Sequence, residues 1–205
     1  MPISIATMPE TEILKRIHLV SEREPDSPYP PGLLTKELRL AAVLIPFAWI
    51  DDAWHILMIH RSANRSDPHS SQVGFPGGGV HPTDTDAEMT ALRETEEELA
   101  IRASDVRLLG RLNDYLTITN FQVTPVIGII PWPYPIIPDE REVTRAFTIP
   151  LAWLADPNNY EVRCRELPHP CDAIPVIYYK QFRGETLWGV SARIMVGLII
   201  LLESH

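Results

Sequence analysis

The chain has 205 residues, 45% of them hydrophobic, which is enough to bury one ample core and favours one domain over two. Its net charge of −9 argues against nucleic acid as a partner, because phosphate backbones recruit basic surfaces. Two cysteines, Cys164 and Cys171, predict reduced thiols, with a single loop disulfide as the alternative. A signal-peptide pattern and a membrane-length apolar run are both lacking, so we expect a cytoplasmic protein without membrane contact.

The N-terminal region predicts one short helix followed by a surface linker. Residues 9–20 place Ile13, Ile17 and Val20 at helical spacing. Residues 21–32 hold four prolines and predict an extended connection. We therefore expect residues 1–37 to form an N-terminal helix and proline-rich linker, and residues 38–205 to form a single domain.

The rest of the chain mixes strand-like and helical patterns. Strand-like runs cover residues 38–50, 54–60, 73–75, 106–112, 121–130, 143–149, 160–165 and 174–182. Helical patterns cover a segment after residue 85, a turn at 150–154 and an apolar helix at 189–202. This order predicts an α/β sandwich with helices on both faces of a mixed sheet. The apolar C-terminal helix could close the core or supply the face of a homodimer.

The helix after residue 85 has a legible start. Thr85 and Glu88 have the spacing of a capping box, which predicts Thr85 as the N-cap. A glycine-rich turn, Gly77–Gly79, is expected to lead into this helix.

The same helix ends in an unusual cluster of acids. At about 100° per residue, Glu94, Glu97 and Glu98 share an arc of about 100°. Acids at a helix C-terminus oppose the helix dipole and repel each other, so the arrangement is poor for stability. A solvated charged face is one interpretation; a site for Mg²⁺ or Mn²⁺, which take carboxylate and phosphate oxygens, is the other. The opposite side is predicted to face the core through Met89, Leu92 and Leu99.

The acidic cluster resembles a known family motif. Residues 93–101, R-E-T-E-E-E-L-A-I, are similar to the core of the Nudix box, G-x5-E-x7-R-E-U-x-E-E-x-G-U, where U is apolar. The residues that match in register are Arg93, Glu94, Glu97, Glu98 and Ile101. F-P-G-G at residues 75–78 resembles the loop that commonly precedes the box.

The chain also departs from this pattern at three positions. Asp84 stands one residue out of step with the first glutamate of the box. Thr95 replaces an apolar residue, and Ala100 replaces the late glycine. The departures leave the R-E-x-x-E-E core intact.

The resemblance implies a Nudix-type α/β/α sandwich with a mixed sheet and a catalytic loop-helix-loop. It further implies metal-dependent hydrolysis of a nucleoside diphosphate linked to another moiety. Glu94, Glu97 and Glu98 would bind Mg²⁺ or Mn²⁺, and Arg93 would orient these carboxylates. The general base stays open between Glu97 and the acids of the 139–142 loop, which are Asp139, Glu140 and Glu142. Glycines, here Gly77 and Gly78, let the backbone approach phosphates and metal.

The segment 60–79 resembles one branch of the family, the coenzyme A pyrophosphatases, with the pattern R-S … H-x-G-Q-V-x-F-P-G-G. The matching residues are Arg61, Ser62, His69, Gln72, Val73, Phe75, Pro76 and the glycines, while Ser71 replaces a glycine. Residues 121–131, 139–151 and 187–194 also look like this branch. The resemblance implies cleavage of coenzyme A at its pyrophosphate, giving 3′,5′-ADP and 4′-phosphopantetheine.

Several residues of this segment are candidates for substrate contacts. Arg61 and Arg65 could meet the 3′-phosphate, which suits guanidinium chemistry, or could be ordinary surface arginines. His69 and Glu140 are further candidates, although His69 could equally brace the turn. The alternative functions are hydrolysis of ADP-ribose, a dinucleoside polyphosphate or a damaged nucleotide, or a non-catalytic Nudix-fold binding module.

Overall fold

A computed structural model of the protein describes residues 4–18, 24–30, 33–34, 37–63, 72–166 and 173–204. Its α-helices are α1 (Glu10–His18), α2 (Ala87–Leu99), α3 (Leu151–Ala155) and α4 (Gly189–Glu203). The strands are β1 (Arg39–Ile50), β2 (Ala53–Arg61), β3 (Val73–Gly74), β4 (Gly77–Gly79), β5 (Arg107–Arg111), β6 (Tyr115–Leu116), β7 (Phe121–Ile129), β8 (Val143–Pro150), β9 (Tyr160–Arg165) and β10 (Ile174–Tyr179).

A mixed sheet lies at the centre of the part of the chain that the structure describes. The strand order is β3-β2-β1-β7-β5, while β4 pairs with β1, β6 with β7 and β8 with β2. β1 runs parallel to β7 and antiparallel to β2 and β4. β9 and β10 form a second, two-stranded antiparallel sheet. The mixed sheet expected from the order of elements is therefore present.

β1 and β2 form a hairpin, with Ile50 opposite Ala53. The two residues between them, Asp51 and Asp52, have φ angles of 48° and 59°. A two-residue turn with two positive φ values matches the right-handed twist of the strands, and aspartate tolerates this conformation better than most residues.

Alternating side chains divide the core between the two faces of the sheet. Ile45 and Phe47 of β1 belong to a cluster that includes residues of α1, α3 and α4. Leu44 and Ala48 belong to a second cluster, to which α2 contributes. This period of two is that of a strand buried on both sides. The described ranges therefore form an α/β/α sandwich, with α1, α3 and α4 on one face and α2 on the other.

The N-terminal helix packs against the same sheet as the rest of the chain. Ile13 and Ile17 of α1 are buried, and the indole Nε1 of Trp54 donates to the Met8 carbonyl at 2.8 Å. A Cβ at Gly110 would lie 2.7 Å from Cγ2 of Ile17, so the helix approaches β5 closely. The domain boundary at residue 37 stays a prediction.

No helix in the described ranges has both the length and the apolar character that a membrane span requires. Cys164 is exposed on β9, and Cys171 lies outside the described residues, so the state of the two thiols stays a prediction.

Candidate active site

α2 begins one residue later than the sequence predicted. Asp86 is the N-cap, with φ −159° and ψ 176°, and its carboxylate accepts a hydrogen bond from the Met89 backbone N at 2.7 Å. The Thr85 hydroxyl instead donates to Asp86 at 3.1 Å. The prediction of Thr85 as N-cap is therefore wrong. An aspartate at this position offers a charged acceptor to the positive end of the helix dipole.

The side of α2 that faces the sheet carries both polar and apolar residues. Its buried residues are Thr90, Ala91, Thr95, Glu98 and Leu99. Leu99 faces the core as predicted, but Met89 is 41% exposed, so its predicted burial is wrong. Glu98 is accommodated among these buried residues because the backbone N of Gly77 in the facing strand donates to its carboxylate at 2.9 Å.

Gly77–Gly79 form strand β4 rather than the predicted turn, with Gly78 opposite Ala42 of β1. A Cβ at Gly78 would lie 2.5 Å from Oε2 of Glu94. Gly77 has a φ of 147°, and a Cβ there would lie 2.4 Å from the Ala42 carbonyl oxygen. These two glycines therefore allow Glu94 and the backbone of β1 to approach β4 from different sides.

Glu98 is the most deeply buried of the predicted ligands, with a side chain that is 1% exposed. Its Oε2 accepts from the Gly77 backbone N at 2.9 Å, and its Oε1 accepts from Nη1 of Arg61 at 3.0 Å. Burial raises the pKa of Glu98 to about 8, against the opposing effects of the Arg61 charge and the Gly77 hydrogen bond. A bound cation would stabilise the ionised form of such a buried carboxylate.

Asp84 is a partner of Arg93. The guanidinium of Arg93 donates through Nε to Oδ1 at 3.0 Å and through Nη2 to Oδ2 at 2.9 Å. Asp84 also accepts from the His81 backbone N and the Thr90 hydroxyl, and its side chain is fully buried. The Arg93 hydrogen bonds, followed by that of His81, hold the pKa of Asp84 well below its usual range. Asp84, which does not align with the first glutamate of the Nudix box, thus binds Arg93 of the box.

Arg93 also reaches two of the predicted metal ligands. Its Nη1 donates to Oε1 of Glu94 at 2.8 Å and to Oε2 of Glu97 at 3.1 Å. The Glu94 side chain is 16% exposed, and burial raises its pKa despite the Arg93 hydrogen bond. The Glu97 side chain is 58% exposed. Arg93 therefore has the contacts needed to orient both carboxylates.

The loop that follows β7 is fastened to the C-terminus of α2. The backbone N atoms of Ile137 and Asp139 donate to the carbonyls of Leu99 and Glu98 at 3.0 and 2.9 Å. These bonds satisfy carbonyls that a helix end otherwise leaves without partners. They also place residues 139–142 beside the buried end of the carboxylate cluster.

The three acids of this loop differ in their surroundings. Asp139 is bound by the side chain of Arg141, while Glu140 and Glu142 are both exposed. Burial is the first cause of the raised pKa values of Glu94 and Glu98, and the charge of Glu142 raises both further. Glu142 is therefore the loop acid that acts on the buried carboxylates.

The arrangement fits a cation whose coordination shell would be completed by the substrate. Within the described ranges, no three His, Cys, Asp or Glu side chains converge closely enough to form a preformed metal cage. Mg²⁺ is commonly held by one or two carboxylates together with waters and substrate phosphates. Glu94 and Glu98, both directed at the glycines of β4, match that donor set.

The sequence placed some site residues and missed others. Arg65 and His69 fall in residues 64–71, which the structure does not describe. Ser62 and the role of Asp84 were missed. The only signal for Ser62 was its place in the R-S pattern, and Asp84 became interpretable only through its contact with Arg93.

An α/β/α sandwich with an Arg-Glu helix packed on a glycine strand is the Nudix class of fold. Residues 38–166 match the family model described as NUDIX domain. An Enterococcus faecalis MutT/nudix family protein of known structure shares the fold, with a TM-score of 0.51, 16% identity and coverage of 92% of this chain and 67% of that chain.

Two relatives extend the likeness beyond the fold. Proteins of Yersinia pestis (strain Pestoides F) and Yersinia pseudotuberculosis serotype O:1b (strain IP 31758), each described as an uncharacterized Nudix hydrolase, NudL, are 33% identical over 177 residues. These matches cover 82% of this chain and 85% of each relative. The chain belongs to the Nudix hydrolase family, whose members are pyrophosphohydrolases that generally use divalent metal ions.

Proposed function

We propose that the protein hydrolyses the pyrophosphate bond of coenzyme A, or of its derivatives, to 3′,5′-ADP and 4′-phosphopantetheine. The proposal is supported mainly by one observation: residues of the two motifs contact each other at Glu98. Arg61 and Gly77, from the segment that resembles coenzyme A pyrophosphatases, both donate to Glu98 of the Nudix helix. The segment that would distinguish the substrate therefore adjoins the carboxylates that would perform the chemistry.

Glu94, Glu97 and Glu98 are the proposed ligands for Mg²⁺ or Mn²⁺. When bound, the cation neutralises phosphate charge and lowers the pKa of the attacking water. Arg93 restrains Glu94 and Glu97 through its Nη1, while Asp84 fixes the guanidinium from the opposite edge. Gly78 leaves space on β4 for the Glu94 carboxylate, and the Gly77 backbone N donates to that of Glu98.

We propose Glu142 as the general base, in preference to Glu97. Arg93 already occupies one oxygen of Glu97, which suits an orienting or ligand role. Glu142 lies on an anchored loop, and its charge acts on both Glu94 and Glu98. Removing a general base lowers kcat by about 10²–10⁴-fold and removes the corresponding limb of the pH–rate profile.

Glu142→Gln and Glu97→Gln separate these roles. We expect Glu142→Gln to lower kcat and remove the acidic limb, with an unchanged requirement for Mn²⁺. Glu97→Gln should raise the Mn²⁺ concentration needed for half-maximal rate. The reverse pattern would assign the base to Glu97.

The substrate is tested by product analysis with coenzyme A and Mg²⁺ or Mn²⁺. We expect equal amounts of 3′,5′-ADP and 4′-phosphopantetheine, separated by chromatography. A parallel panel contains ADP-ribose and dinucleoside polyphosphates. Absence of coenzyme A turnover beside rapid turnover of one of these nucleotides would overturn the proposal. Comparison with dephospho-coenzyme A shows whether the 3′-phosphate is recognised.

The remaining substrate contacts, Arg61, Arg65, His69, Gly77, Gly78 and Glu140, stay predictions. A homodimer also stays a prediction. α4 closes the core with its apolar residues, although Ile200 on the same helix is 64% exposed.

A further inference from the structure

We propose that Arg61 and Ser62 form a positioning pair, which holds Glu98 and the loop bearing Glu142 from the end of one strand. The pair would align the metal-binding helix with the loop that carries the proposed base. This inference rests on the proposed metal-dependent hydrolysis and assigns roles to two residues of the segment that resembles the coenzyme A branch.

Arg61 stands at an irregularity in the pairing of β2 with β8. His60 lies opposite Arg145, but Arg61 lies opposite Val143, so the register shifts between them. Such bulges redirect side chains and are frequent beside active sites. Here the guanidinium lies against the α2 side of the sheet, where its Nη1 donates to Oε1 of Glu98 at 3.0 Å.

The Arg61 hydrogen bond restrains the Glu98 carboxylate, which a second donor already holds. The Gly77 backbone N holds Oε2 of Glu98 while Arg61 holds Oε1, so each oxygen has its own donor. The Glu98 side chain is 1% exposed and that of Arg61 is 26% exposed. Turning Arg61 towards a substrate phosphate would break its hydrogen bond to Oε1 of the buried Glu98 side chain and leave that oxygen without this donor. The geometry therefore favours a role through Glu98 over a direct substrate contact.

Ser62 makes the corresponding contacts to the acidic loop. Its backbone N donates to the Glu142 carbonyl at 2.8 Å, and its hydroxyl donates to the Glu140 carbonyl at 2.9 Å. The hydroxyl also lies 3.2 Å from Oγ1 of Thr144. Two adjacent residues thus hold the two parts of the site whose carboxylates must act together.

The test uses Arg61→Ala, Arg61→Lys and Ser62→Ala in the full chain. Arg145→Ala is the matched control, because Arg145 lies on the neighbouring strand and pairs with Glu185 at 3.3 Å. Mn²⁺ binding to the metal-free protein is measured by calorimetry without substrate. Steady-state kinetics then separate kcat from KM on the substrate that the protein turns over.

We expect Arg61→Ala to weaken Mn²⁺ binding at least tenfold and to lower kcat at least tenfold, while KM changes less than twofold. Arg61→Lys should recover part of both losses, since it retains the charge but not the planar fork. Ser62→Ala should lower kcat severalfold and leave Mn²⁺ affinity within twofold. Arg145→Ala should change neither quantity by more than twofold.

A tenfold rise in KM for Arg61→Ala, with unchanged Mn²⁺ affinity and kcat, would overturn the proposal and make Arg61 a substrate contact. Because the Mn²⁺ measurement contains no substrate, it is independent of whether coenzyme A is hydrolysed. Should Arg61→Ala be too unstable to measure, Arg61→Ala/Glu98→Gln provides a second test by thermal unfolding. We expect the added glutamine to restore at least half of the lost Tm; no recovery would contradict the pairing of Arg61 with Glu98.

Discussion

α2 and α4 pack on opposite faces of the same sheet, and they bury opposite kinds of side chain. The buried residues of α4 are Ala192, Ile194, Met195, Leu198, Ile199 and Leu202. α2 buries Glu98 and two threonines beside Ala91 and Leu99. Both faces therefore gain free energy from apolar burial, but the α2 face also holds a desolvated carboxylate at a cost.

The difference extends to the hydrogen bonds that each helix needs. On α2, the Thr95 hydroxyl donates to the Ala91 carbonyl at 2.7 Å, which satisfies a buried polar group within the helix. The buried Glu98 carboxylate takes its partners from other elements, namely Arg61 from β2 and Gly77 from β4. The catalytic face is therefore held by specific contacts, each of which can be removed separately.

The substitution expected to have the largest effect on activity is at Glu98, on the α2 face. Glu98→Gln should lower kcat/KM roughly 1000-fold, equivalent to about 4 kcal/mol, because a neutral amide is a poor ligand for a hard cation. The Tm of the metal-free variant should fall, because Arg61 and the Gly77 backbone N each donate to Glu98 and an amide can accept from only one of them. Steady-state kinetics and thermal unfolding measure both. Glu96→Gln on the same helix is the control, because it keeps an acceptor for the Ala103 backbone N.

The converse substitution is in α4. Leu198 is completely buried, so Leu198→Ala should reduce the free energy of unfolding by about 3 kcal/mol and lower Tm by roughly 10 °C. The activity of the folded fraction should stay within twofold, measured well below the new Tm. Ile200→Ala, at a position 64% exposed, should leave Tm nearly unchanged. A large loss of kcat in folded Leu198→Ala would show that the two faces are coupled.

The third prediction concerns the pH dependence of the α2 face. The folded-state pKa of Glu98 is raised by burial to about 8 from an ordinary 4.5, so the folded state binds more protons than the unfolded state between these values. Stability therefore falls as pH rises through this window. Relative to Glu98→Gln, the metal-free natural protein should lose stability on the order of 1 kcal/mol or more over this window. Denaturant unfolding at pH 5 and pH 8 measures the difference; a parallel dependence in both proteins would contradict it.

Sequence patterns located the two helices more reliably than the sides they bury. α4 was predictable because its apolar residues cover most of its circumference. For α2, periodicity put Met89 in the core, since nothing in the helix itself shows that the facing strand consists of glycines. Family resemblance supplied Glu94, Glu97 and Glu98 as candidates. The contact from Arg61 to Glu98 depends on long-range pairing, which local sequence does not encode.

The smallest expected effect is a change in Tm, and it concerns the C-terminal ends of the two helices. α4 ends at Ser204 in an extended conformation, with φ −66°, whereas α2 ends at Ala100 in the left-handed region, with φ 56° and ψ 26°. A Cβ is unfavourable in that region, which explains why the family pattern has glycine there. Ala100→Gly should stabilise the protein by about 1 kcal/mol and raise Tm by about 3 °C, since the relief of strain exceeds the added entropy of the unfolded chain.

Ser204→Gly is the matched control for this substitution, and thermal unfolding measures both. Ser204 gains nothing from a glycine, because its backbone conformation is accessible to any residue. We expect Ser204→Gly to leave Tm unchanged or slightly lower. Equal Tm changes at both positions would show that the strain at Ala100 is already relieved by its neighbours. An increase at Ala100 alone would show that the end of α2, like its buried face, departs from the most stable choice of residue.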